Sequence, residues 1–134
     1  MSIEQIPVAV VSGGLSGHAR PLLHEIAAAV RHWLNTGEAS AMDLSAQPLT
    51  LADKTWLREQ LGAGQVRITL DAEGLSRFDE TACPGVWWVT HRNAHDQVTA
   101  EFIEIAQVPE LVKADVDDLK SGLEHLERIV SELS

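Results

Sequence analysis

The sequence predicts an α+β domain: a central antiparallel sheet with a long β-hairpin, and helices packed mainly on one face. Three observations predict it. Helical periodicity lies at the two ends of the chain, over residues 21–36 and 115–133, with a shorter helix at 50–61. Strand-like alternation is concentrated between them, with no long helix separating one strand from the next. The run Val86-Trp87-Trp88-Val89-Thr90, the polar turn Asn93-Ala94-His95-Asp96 and a second strand over 97–105 together read as the hairpin.

The elements follow in order. Residues 1–19 read as an irregular leader, and residues 20–134 as one domain. Gly13-Gly14 and Gly17 are followed by no Gly-Lys-Ser/Thr, so they do not form a nucleotide-phosphate loop. Pro21 suits the first turn of a helix. Leu22, Ile26, Ala29, Val30 and Trp33 then recur at helical spacing, and Gly37 closes the helix. Residues 41–44 are a short strand, and Pro48 marks a loop. Thr50 is the expected N-cap of the second helix, with Asp53 near its positive end and Trp56, Leu57 and Leu61 facing inward. Gly62-Ala63-Gly64 ends it. Residues 65–71 alternate, with Val66, Ile68 and Leu70 inward. A further strand is expected at 75–81.

Placing the turn at 93–96 sets the hairpin opposite itself: Arg92 with Gln97, His91 with Val98, Val89 with Ala100, Trp87 with Phe102. Cross-strand partners share a face. Trp87, Val89, His91, Val98, Ala100 and Phe102 therefore form a core face. Trp88, Thr90, Arg92, Thr99 and Glu101 form a more polar face, with Val86 and Ile103 at its far end. A Trp among such neighbours is either an exposed anchor for a partner or is covered by a helix of the same chain. On the first reading Trp88, Thr90, Arg92 and Asn93 are the partner-binding candidates. Beyond Val108-Pro109, a helical turn is expected at 110–113. A last helix starts at Asp115 or Asp117 and carries a stripe of Leu119, Leu123, Leu126, Ile129 or Val130, and Leu133.

Composition narrows the function. The 134 residues carry a net charge of −10, and the ten Lys and Arg are scattered, which excludes a phosphate-backbone or anionic-membrane surface. No apolar segment is long enough to cross a bilayer, and the start has no basic region like a secretory signal. With a single Cys, the expected location is the cytoplasm. The residues nearest to a metal set are His91, His95 and Cys83. Across a hairpin the two His need not converge, and Cys83 is a strand length away, so no metal and no cofactor are expected. No general acid/base or nucleophile constellation is recognisable, and no catalytic residue is assigned.

Four stretches carry a resemblance. They are PLLHEIAAAVRHWLNTGE (21–38), MDLSAQPLTLAD (42–53), LGAGQVRITLDAEG (61–74) and PGVWWVTHRNAHDQVTAEFIEIAQVPEL (84–111). In this order they resemble the C-terminal conserved region of the HupH/HyaF family of hydrogenase expression and formation proteins. The resemblance spans residues 20–134. It implies an accessory protein for maturation of a nickel–iron uptake hydrogenase, not an enzyme. Its partners would be a hydrogenase subunit or its precursor, and other maturation proteins. The mechanism to expect is that of a chaperone or scaffold holding an immature subunit. The alternative is a metal-handling protein using His91, His95 and Cys83, and behind it a small enzyme acting on a maturation intermediate.

Overall fold

The computed structural model describes residues 14–134. The leader expected at residues 1–19 falls mostly on residues 1–13, outside the described residues. In chain order the elements are α1 (Ala19–Thr36), β1 (Ser40–Asp43), a 3-10 turn (Leu44–Ala46), α2 (Leu51–Leu61), β2 (Arg67–Asp71), β3 (Leu75–Glu80), β4 (Val86–Arg92), β5 (Val98–Ile105), a second 3-10 turn (Glu110–Val112) and α3 (Val116–Leu133). The five strands form one antiparallel sheet in the order β1-β5-β4-β3-β2. Strands β2 to β5 are a simple meander, and β1 returns to cover the outer edge of β5.

Local chemistry explains the boundaries. Gly37 takes φ 78°, and its N–H bonds to Trp33 O, which stops α1. Thr50 and Asp53 form a reciprocal capping box at the start of α2. Gly64 follows that helix where the chain runs against β3: a Cβ there would lie 2.4 Å from Thr81 O. Asp115 caps α3 by accepting the N–H of Asp117.

Both faces of the sheet carry apolar clusters. On one face Val86, Trp88, Ile103 and Ile105 pack under Leu22 and Ile26 of α1 and Leu57 and Leu61 of α2. On the other, Phe78, Trp87 and Val89 are buried beneath Ile68, Leu70, Phe102 and Val112. Val112 belongs to the segment after β5, which folds back over that face.

Four expectations are corrected. First, the hairpin register is displaced by two residues: Val89 faces Phe102 and Trp88 faces Ile103, with an irregularity between His91 and Arg92. Over 86–91 and 100–105 the two-residue displacement leaves each side chain on its face, whereas a one-residue slip would have exchanged them; beyond the irregularity Val98 pairs with Arg92 instead of sharing the His91 face. Second, Trp88 is not exposed. Only 2% of it meets solvent, because its row contains Val86, Ile103 and Ile105 and two helices close over them. Trp87, expected in the core, is indeed buried, with its indole N–H donated to Ala106 O at 3.0 Å. Third, Val98 and Val66 are 48% and 42% exposed rather than inward: the irregularity sets Val98 opposite Arg92, and Val66 precedes the first residue of β2. Fourth, the stripe of α3 packs on nothing among the described residues, and none of its side chains is buried.

Candidate functional site

Helices α1 and α2 cover the β1-β5-β4 half of their face of the sheet. The β3-β2 half of the same face stays open beside α2 and forms a cleft of about 550 Å³. Lys54 and Arg58 stand one turn apart on α2 and so point from the same side of it into this cleft. Asp79 on β3, Trp88 on β4 and Glu101 on β5 supply the floor, and Arg67 on β2 the outer rim.

The cleft is a chain of charge-assisted contacts. Lys54 Nζ lies 3.0 Å from Glu101 Oε1, and the other oxygen of Glu101 accepts the Trp88 indole N–H at 3.2 Å. A buried indole needs such a partner for its N–H, and the half-buried carboxylate in turn needs a cation. The Arg58 guanidinium sits 4.8 Å above the Trp88 ring and donates to Asp79 Oδ2 at 2.6 Å. Arg77 approaches the other oxygen of Asp79 at 3.3 Å. Cations from the helix therefore meet carboxylates from the strands across an aromatic floor. Such a surface can exchange its internal ion pairs for those of a polypeptide laid along it. Beyond it, β2 is the edge of the sheet, with one side of its backbone free of a neighbouring strand among the described residues.

A smaller recess lies at the other end of α2, around the buried Asp53. Burial alone would raise the carboxyl pKa. Donation from the Ser16 hydroxyl and from the Thr50 and Ser16 N–H groups outweighs it and holds Asp53 at about 2. Ser16 N and Thr50 N each lie 2.9 Å from the carboxylate, and Thr50 Oγ1 donates to Gly14 O. His18 Nδ1 also meets Ser16 Oγ at 2.9 Å, but Asp53 does not orient His18. The Ser16 hydroxyl donates to Asp53 Oδ2, so the group is a helix cap that pins residues 14–18, not a nucleophile with its base.

The sequence-derived candidates divide. Trp88 is the floor of the cleft, and Thr90, half-buried, stands on the same face between Arg77 and Glu101. Arg92 and Asn93 belong to the hairpin turn. Arg92 Nη1 donates to Asp96 O at 3.0 Å, and Asn93 Oδ1 accepts the N–H groups of His95 and Gln97. The three residues weighed as metal ligands are not brought together. His91 Nδ1 is 2.7 Å from Ser76 Oγ, and its ring stands edge-on to Phe78 and Phe102. His95 is exposed in the turn, and Cys83 lies in the tight turn that precedes β4, at the opposite end of that strand from His91. Among the described residues no three His, Cys, Asp or Glu side chains converge as a metal site would require. Sequence reasoning missed Lys54, Arg58, Asp79 and Glu101. The i,i+4 pair of cations on α2 was the available signal, but the carboxylates that meet it, Asp79 and Glu101, come from two strands that are not neighbours and depend on the register.

Residues 17–133 match the family described as HupH hydrogenase expression protein, C-terminal conserved region. The chain is 30% identical over 114 residues to the hydrogenase expression/formation protein HupQ of Azotobacter chroococcum, covering 84% of this chain and 40% of that protein. It is 28% identical over 109 residues to the hydrogenase-1 operon protein HyaF of Escherichia coli, with 81% and 38% covered. The chain thus spans about two-fifths of the length of the curated relatives it matches. A solved structure of the hydrogenase expression protein HupH from Thiobacillus denitrificans superposes with a TM-score of 0.85 at 52% identity, covering 89% of this chain and 99% of that one. The match over nearly all of the described residues, in sequence and in fold, shows that this chain belongs to the HupH hydrogenase expression protein family, through that family's C-terminal conserved region.

Proposed function

We propose that this chain acts in the expression and formation of a hydrogenase, as a non-catalytic chaperone or scaffold that holds an immature subunit of a nickel–iron uptake enzyme. The observation that carries the reading is the 52% identity to a hydrogenase expression protein of the same fold. The cleft supports a binding role. Its side chains are paired with one another in the free chain, and the residues a partner would meet are Arg58, Lys54 and the rim at Arg67 rather than the buried Trp88. An arginine over an aromatic ring beside an open strand edge is the kind of anchor that a protein partner uses.

The test is capture of hydrogenase subunits from cells that express the enzyme, with large and small subunits and their precursors scored separately. Capture of one immature subunit is expected, and Arg58→Glu should weaken it by about tenfold or more while the fold, read by circular dichroism, is retained. Capture unaffected by Arg58→Glu would move the binding surface away from the cleft. Failure to capture any subunit would sink the scaffold reading.

A further inference from the structure

Helix α3 carries apolar side chains that the described residues leave bare. Leu119, Leu123 and Leu126 are each 56–60% exposed, and Val116, Val130 and Leu133 more so. The six stand at spacings of three, four, three, four and three, an unbroken seven-residue repeat with these side chains at the a and d positions. Ile129 flanks this seam at a g position and is itself 38% exposed. An unbroken seven-residue repeat is the pattern that a second helix matches. Most of the stability of a helix in a protein comes from packing its apolar face, which α3 lacks among the described residues.

The remaining positions say which helix fits. With two copies of α3 laid antiparallel, Val116 meets Leu133 of the second copy, Leu119 meets Val130, and Leu123 meets Leu126. In that register Lys120, at an e position, faces Glu127 of the second copy, and the two-fold axis repeats the pair. Neither residue has an ion-pair partner among the described residues. Gly122, around which a Cβ would find open space, faces Ile129 of the second copy, so the smallest residue on the flank receives the branched one. Asp117, Asp118, Glu124 and Glu132 all fall on the outer face. A parallel pair would gather Asp115, Asp117 and Asp118 of both copies at one end and align the helix dipoles. It would also set Lys120 against Asp115, whose carboxylate already caps the helix. We infer that α3 pairs with α3 of a second copy of this chain, as an antiparallel two-helix coiled coil.

Sedimentation equilibrium of the full chain over a concentration series reaching the near-millimolar range tests this. A reversible dimer is expected. Leu123→Glu should raise its dissociation constant at least about 100-fold. Lys120→Glu should raise it about tenfold by turning two attractions into two repulsions, and adding Glu127→Lys should restore it. All four Trp lie outside α3, so their fluorescence verifies that each variant keeps the folded core. A chain that stays monomeric throughout overturns the inference, as does a dimer indifferent to Leu123→Glu. A charge swap without rescue does the same, since it points to a parallel pair or to another protein on the seam.

Discussion

Helices α1 and α3 are each 18 residues long and both are amphipathic, yet they meet opposite fates. In α1 the apolar side chains form a wide band, from Leu22 and Leu23 through Ile26 to Ala29, Val30 and Trp33, and Leu22 and Ile26 are buried against the sheet. In α3 a comparable band, from Leu119 and Leu123 through Leu126 to Ile129, Val130 and Leu133, is not reached by the sheet. Amphipathicity announces that a helix needs a partner. The stripe alone does not say what that partner is; α1 finds it in the sheet of the same chain, and α3 does not. The second helix, α2, shows the intermediate case. It buries Leu57 and Leu61 but keeps Lys54 and Arg58 for the cleft.

The largest expected effect lies under α1 and α2. Trp88→Ala should cost about 3–5 kcal/mol of stability, as for other buried aromatics, read from urea unfolding followed by fluorescence. A loss below about 1 kcal/mol would mean that these helices do not close over β4. On α1 itself, Ile26→Ala should cost about 2–5 kcal/mol. The matching truncation Leu123→Ala on α3 should leave the same fluorescence transition within about 0.5 kcal/mol, because α3 makes no packed contact with the core. Equal losses at the two sites would erase the contrast between the helices.

A smaller effect concerns the helix caps. The folded chain holds Asp53 at about 2, against an ordinary value of 3.8. The unfolded chain therefore binds the proton more readily. The contribution of Asp53 to stability is complete above about pH 4 and is lost as the pH falls towards 2. Asp53→Asn should lower stability by about 1 kcal/mol at neutral pH and flatten this part of the pH profile, measured by urea midpoints across the acid range. The equivalent change at the α3 cap, Asp115→Asn, should leave the fluorescence transition unmoved. The smallest effect is kinetic. Amide protons of α3 should exchange sooner than those of α1 on dilution, and become protected as the chain is concentrated. Protection of α3 that does not depend on concentration would place its cover within the chain.

Much of the architecture was legible from periodicity. The three helices, the short first strand, the meander and the hairpin follow from local pattern, and Gly37, Thr50 and Asp115 mark ends that the structure keeps. The cleft was much less legible. Thr90 and Trp88 were placed on its face, but Arg92 and Asn93 proved to be tied up in the hairpin turn. The carboxylates that make the cleft what it is, Asp79 and Glu101, are ordinary strand residues in the sequence. Their meeting with Arg58 and Lys54 depends on a register two residues from the predicted one: the turn closes Asn93, not Arg92, on Gln97, and the irregularity between His91 and Arg92 adds the second residue.

The two tryptophans mark the same division. Their adjacency in a strand alone determined that they lie on opposite faces, since side chains alternate along extended backbone. It also determined that Trp87 shares a face with Val89, whereas Phe102 joins them through the register of β5. Whether a face is covered depends on other elements arriving there, and only the tertiary structure decided that. Helices α1 and α2 arrive over Trp88, the segment carrying Val112 returns over the Trp87 face, and nothing among the described residues arrives over α3. Alternation and periodicity are properties of neighbouring residues, whereas burial is a property of residues far apart in the chain that come to share one space.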